Sequence, residues 1–136
     1  VGFLVAFGLP VQGPGYPSDE LLDNYRSLVK RFDVFASRVG TDSPAMDLAD
    51  HTTVYKLQTA IEPVMHDCTT ELQVGFRANP NAAAQERCAA IYTSCRAMDD
   101  YLDCVRQDAN RRNPDFRWAA VQYYKIHKRI DKYVAP

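Results

Sequence analysis

From residue 21 the apolar side chains fall into a helical rhythm. Leu21, Tyr25, Leu28, Phe32, Phe35 and Val39 recur at alternating steps of four and three, which lines up one face of an α-helix. Pro17-Ser18-Asp19-Glu20 stands just before them. Ser18 is suited to cap the helix, and the two acids fall where the helix dipole is positive. Gly40 closes the segment. A polar stretch from Thr41 to Asp50 follows, within which Ser43-Pro44 predicts a short helical turn.

The rhythm resumes with Val54, Leu57, Ile61, Met65, Cys68 and Leu72, predicting a second helix over about 52–74. Pro63 lies inside it and lacks a backbone donor, so a kink is expected near 59–63. Gly75 and Asn79-Pro80-Asn81 predict the next turn. Ala84, Cys88, Ile91, Cys95 and Met98 mark a third helix from near Ala82. Tyr101, Leu102, Val105 and Ala109 read as a short fourth helix, with Asp99 as its cap. Asn113-Pro114-Asp115 then opens a last helix whose inner face is Phe116, Ala120, Tyr123, Ile126, Ile130 and Tyr133. No stretch alternates as a strand would. The fold expected is all-α: a small antiparallel bundle of about five helices, a single domain over residues 16–136.

The four cysteines, Cys68, Cys88, Cys95 and Cys104, motivate the break placed at Asp99-Asp100, which propensity alone does not demand. On one unbroken helix Cys95 and Cys104 would sit about 13 Å apart along the axis. A disulfide needs Cα atoms within about 7 Å. In a helical hairpin, residues equidistant from the turn face each other. Cys68 and Cys88 are symmetric about residue 78, and Cys95 and Cys104 about Asp99-Asp100. The pairing expected is Cys68–Cys88 with Cys95–Cys104. Cys68–Cys95 with Cys88–Cys104 is the alternative.

Composition adds little to this picture and charge adds more. Of 136 residues, 46% are apolar and 24% charged, ordinary for a globular domain. The net charge of −1 argues against a nucleic-acid binder. It is unevenly spread: residues 1–110 carry 9 basic and 15 acidic side chains, residues 111–136 carry 7 and 2. The uncharged opening VGFLVAFGLPVQGPG over residues 1–15 reads as the apolar part of a secretory leader, too short to span a bilayer. Its rival reading is an ordered apolar arm. A leader and an even cysteine count together predict a secreted protein with disulfides.

Candidate chemistry is sparse. His51, His66 and His127 are scattered and lack the clustered partners that a metal site or a nucleophile–base pair requires. Asp99, Asp100 and Asp103 lack the alternating oxygen ligands and the glycine of a calcium loop and read as capping groups. No phosphate-binding glycine loop, nucleophile elbow or zinc-protease motif occurs. Catalysis, cofactors and metals are therefore not expected. The last helix carries Arg117, Trp118, Tyr124, Lys125, Lys128, Arg129, Lys132 and Tyr133. Those residue types dominate protein–protein contact sites, so this face is the candidate partner-binding surface.

The leader-like VGFLVAFG, the acidic first helix SDELLDNYRSLVKRFDVFASRVG, the four cysteines and the basic aromatic end FRWAAVQYYKIHKRIDKY together resemble the small secreted salivary proteins of anopheline mosquitoes. That family includes the albicin and anophensin types. The resemblance covers the chain beyond the leader and rests on no sharp motif. It implies an all-helical fold with two disulfides, no catalysis, and a role in blood feeding by binding host plasma proteins. The targets it implies are the alternative-pathway convertase of complement or the contact system of the kallikrein–kinin pathway. A carrier of a small hydrophobic ligand is the competing class, and a helical signalling bundle a third.

Overall fold

The computed structural model of the chain describes residues 15–39, residues 48–109 and five positions beyond them: Val121, Tyr124, Lys125, Ile126 and Lys128. Side chains are described to residue 106 and at those five positions. The described residues are all-helical, with no strand among them. Three long helices dominate: α1 (Asp19–Val39), α2 (Leu48–Ala78) and α3 (Ala82–Ala109). The five later positions are also helical. The leader-like residues 1–14, the turn expected at Ser43-Pro44 and the helix start at Asn113-Pro114 lie outside the described residues.

Helix α1 forms as its pattern dictates. Ser18 caps it, its hydroxyl accepting a bond from the Leu21 amide at 3.1 Å. All six residues of the expected apolar face are buried, together with Leu22 and Ala36. Helix α2 is longer than the pattern suggested at both ends. Val54, Leu57, Ile61, Val64 and Cys68 are buried along it, while Met65 and Leu72 are half-buried. Pro63 sits inside the helix without ending it. Its side chain is exposed, so the carbonyl left without an amide partner one turn back can turn to water.

Partner residues give the helix directions. Along α1 and α2, Ser18 meets Glu71 and Arg38 meets Asp50, so the two run antiparallel. Along α2 and α3, Gln58 meets Asp99 and Asp103 near one end, and Cys68 and Cys88 share one groove near the other. That pair is antiparallel too, closed by the turn at 79–81. Helices α1 and α3 are then parallel. Tyr25 meets Ser94 and Phe32 meets Tyr101, both at a separation of 69 residues. The core lies between the three, with Tyr25, Phe32, Leu57, Ile61, Ile91, Met98, Tyr101 and Leu102 at its centre. Ile126 belongs to the same cluster, so the C-terminal segment docks on the bundle.

The break expected at Asp99-Asp100 does not exist. Helix α3 runs through it from Ala82 to Ala109. The physical reason is visible in the spacing: Ile91, Cys95, Met98, Leu102 and Val105 continue one stripe in unbroken phase, and all are buried. Asp99 has no cap to make, and its carboxylate accepts a bond from Gln58 of α2 instead. The separate fourth helix is thus the end of α3, and the described residues show three long helices and a helical C-terminal segment where about five helices were expected. Gly75 is likewise not a turn residue. It lies within α2, and the turn begins only at Asn79.

Candidate functional site

The C-terminal segment was the surface expected to bind a partner, and it is amphipathic as the spacing required. Ile126 is fully buried, whereas Tyr124 is 70% exposed and Val121 51%. Lys125 and Lys128 are exposed on the same segment. Steps of three and four bring Tyr124 and Lys128, and Lys125 and Lys128, onto neighbouring parts of one helical surface. An aromatic ring and two ammonium groups therefore share the side turned away from the core. Arg117, Trp118, Arg129, Lys132 and Tyr133 lie outside the described residues.

Three of the four cysteines gather between α2 and α3. Cys68 on α2 stands near Cys88 and Cys95 on α3, and all three are buried. No disulfide joins the four cysteines. The Cys95–Cys104 bridge is corrected by the continuity of α3. Cys88, Cys95 and Cys104 all belong to that one helix, where neighbours in the set stand about 10 and 13 Å apart. No pair of them can approach within the distance a disulfide demands. Each of the three ways to join four cysteines into two bridges pairs two residues of α3. Two intrachain disulfides are therefore incompatible with this fold, including the alternative Cys68–Cys95 with Cys88–Cys104. A single bridge from Cys68 to a residue of α3 is the one kind that this constraint leaves.

Burial, chiefly, pushes the Cys68 thiol up to about 12 and the Cys88 thiol to about 11, and Glu71 adds its negative charge to both. The Cys95 thiol is raised further by burial and by Cys68. At neutral pH these groups are protonated. The thiolate that attacks electrophiles is scarce, so the cluster is unsuited to nucleophilic chemistry.

Around Cys68 the bundle is tied at one corner by residues that pattern reading left aside. The Glu71 carboxylate accepts from the Ser18 amide and the Ser18 hydroxyl, each at 2.6 Å. The Tyr16 hydroxyl accepts from the Asn81 amide at 3.1 Å and donates to the Asn81 carbonyl at 3.3 Å. Asn81 in turn caps α3, its side-chain oxygen accepting from the Ala83 and Ala84 amides. The Tyr16 ring lies directly over Gly75, where an added Cβ would collide with it. Tyr16 just ahead of the Ser18 cap was the one sequence signal, an apolar residue before a helix start. Its contact with the α2–α3 turn, 65 residues away, had none.

The opposite end carries the Gln58 bridge. Its side-chain amide donates to Asp99 at 3.3 Å and Asp103 at 2.8 Å, and Asp103 also pairs with Arg106 at 2.8 Å. Burial first, and Asp103 second, hold the Asp99 carboxyl above its ordinary value. His51 is half-buried and His66 exposed. Among the described residues no three His, Cys, Asp or Glu side chains gather as a metal site, and no helix is long and apolar enough to cross a membrane.

Two surface grooves complete the description. One, of about 300 Å³, lies between α2 and α3 over Cys68, Leu72, Cys88, Ala89 and Tyr92. The other, of about 350 Å³, lies between α1 and α2 and is lined by Arg31, Val34, Thr53, Lys56 and Leu57.

The geometry defines a class, a short three-helix bundle with a docked C-terminal helical segment. Comparison of the chain with protein-family models, with curated proteins and with solved structures found no match.

Proposed function

We propose that the protein is a secreted binding module that acts by protein–protein contact through the outward face of its C-terminal segment. The observation that carries this reading is the division of that segment. Ile126 is locked in the core while Tyr124, Lys125 and Lys128 face solvent. A rigidly held aromatic–basic face is the kind of surface that anchors a partner. The buried, protonated thiols and the scattered histidines supply no catalytic group, which favours occupancy over reaction. Combined with the resemblance in sequence to salivary proteins of blood-feeding mosquitoes, the target proposed is a host plasma assembly, the alternative-pathway convertase of complement. Contact-system factors are the alternative target.

The test is recovery of partners from vertebrate plasma on the immobilised protein, with and without activated complement, identified by mass spectrometry. Convertase components should be retained after activation. A Lys125→Glu/Lys128→Glu/Lys132→Glu variant should retain several-fold less. Equal retention by the parent and the variant would place the binding surface elsewhere, and recovery of kallikrein–kinin factors alone would select the alternative target. A carrier of a small hydrophobic ligand remains the second reading, favoured by the largely apolar groove between α2 and α3. It would show as lipid in the purified protein with no plasma partner.

A further inference from the structure

The grooves on either side of α2 differ in charge. The α2–α3 groove has no ionised side chain in its lining. The α1–α2 groove has two cations, Arg31 and Lys56, and no carboxylate. This is unusual for a body in which residues 1–110 hold 15 acidic side chains against 9 basic ones. Three arginines of the described residues are matched by an acid: Arg26 with Asp23, Arg38 with Asp50, Arg106 with Asp103. Arg31 and Lys56 form no ion pair among the described residues.

The apolar part of the groove is as specific as the polar part. Leu57 is 1% exposed and forms the floor, while Val34 stands at the rim with 73% of its surface exposed. Arg31 and Val34 are one turn apart on α1, as are Thr53 and Lys56 on α2, so each wall offers one cation and one smaller group. The Thr53 hydroxyl donates to the Ala49 carbonyl at 2.9 Å. It is not available to donate to a ligand, which leaves the guanidinium and the ammonium as the donors. The volume of about 350 Å³ falls at the lower end of the range for small-molecule sites.

We infer that the α1–α2 groove is a binding site for a small amphipathic carboxylate, its head held between Arg31 and Lys56 and its alkyl tail laid over Leu57 against Val34. Two donors on opposite walls match the two oxygens of one carboxylate. The tail covers the exposed valine, removing apolar surface from water. The site does not depend on the plasma-protein reading, since it lies on helices α1 and α2 and shares no residue with the C-terminal face.

Sodium decanoate, kept below its micelle concentration, is the probe, titrated into the isotope-labelled full chain and followed by amide chemical shifts. Saturable shifts at residues 31, 34, 53, 56 and 57 are expected. Decanol and decylamine, with the same tail and no negative charge, should bind more weakly. Arg31→Gln/Lys56→Gln should weaken decanoate several-fold, up to about tenfold for two partly exposed charge contacts, and leave decanol unchanged. Both side chains are exposed, so the variant should melt as the parent does. The shift map of the parent decides the site should the variant fail to fold. Shifts that do not saturate, shifts confined to the α2–α3 groove, equal binding of decylamine, or an unchanged decanoate affinity in the double variant would each overturn the assignment.

Discussion

Single residues decide how the helices close at their two ends. Gly75 lies inside α2, where glycine is intrinsically unfavourable, because the Tyr16 ring occupies the space a Cβ would take. Gly75→Ala should therefore destabilise the fold by about 1–3 kcal/mol through overpacking. In a Tyr16→Ala background the same change should stabilise by about 0.5–1 kcal/mol, the ordinary helix preference of alanine over glycine. Denaturant unfolding of the four proteins measures this reversal of sign, and its absence would remove Tyr16 as the cause. At the other end Asp99 is held above its ordinary value by burial and by Asp103. A carboxyl raised in the fold binds its proton more tightly there than in the unfolded chain. Its ionisation therefore subtracts stability as pH rises through the raised value, and subtracts nothing below the ordinary carboxylate range. Asp99→Asn keeps an oxygen for Gln58 and removes the charge. It should raise Tm by roughly 1–2 °C at neutral pH, a gain that fades below about pH 4. A gain that persisted in acid would point to a cause other than charge.

At the scale of the element, the continuity of α3 governs the cysteines. With Cys88, Cys95 and Cys104 on one helix, at most one intrachain disulfide can form, and it must use Cys68. Cys88 is the favoured partner because the two line the same groove. Such a bridge would close a loop of 20 residues and add about 3 kcal/mol. Both thiols are raised well above neutrality, so uncatalysed oxidation should be slow and an oxidising compartment would be needed to complete it. Peptide mapping without reduction, on protein produced in an oxidising compartment, should yield Cys68 joined to Cys88. A peptide joining Cys95 to Cys104 would show that α3 is broken after all. The fold does not accommodate the second disulfide that the resemblance to the mosquito salivary proteins implies.

At the scale of the whole molecule, an acidic three-helix body carries a basic C-terminal face. Arg38 and Asp50 tie α1 to α2 at one end, with Asp50 buried, and Ser18 and Glu71 tie them at the other. The body is thus braced at both ends, and neither brace uses Lys125 or Lys128. Long-range attraction acts mainly on the rate of encounter and weakens with ionic strength. The loss of partner binding in the Lys125, Lys128 and Lys132 reversal should accordingly be largest at low salt and appear in the association rate. Thermal stability should hardly change. A deficit confined to dissociation and indifferent to salt would assign those lysines to direct contacts rather than to steering.

The apolar rhythm by itself determined where the helices lie and which side of each faces inward. Leu21 through Val39, Val54, Leu57, Ile61 and Cys68, and Cys88 through Met98 are buried where spacing placed them, because burying a stripe is what stabilises an amphipathic helix; on α2 Val64 is buried and Met65 only half-buried. It also determined the cap at Ser18 and the inward turn of Ile126. The sequence did not determine where α3 ends. Asp99-Asp100 has the composition of a cap, but a stripe continuing in phase through Met98, Leu102 and Val105 outweighs it once α1 and α2 are present to cover it. Nor could spacing reveal the pairing of Tyr16 with Gly75, Glu71 with Ser18, or Gln58 with Asp99. It could not bring Arg31 beside Lys56 either. Each of these joins residues distant in the chain, and periodicity carries only the phase of a helix about its own axis. Which helices neighbour one another, and at what register, is decided by packing in three dimensions.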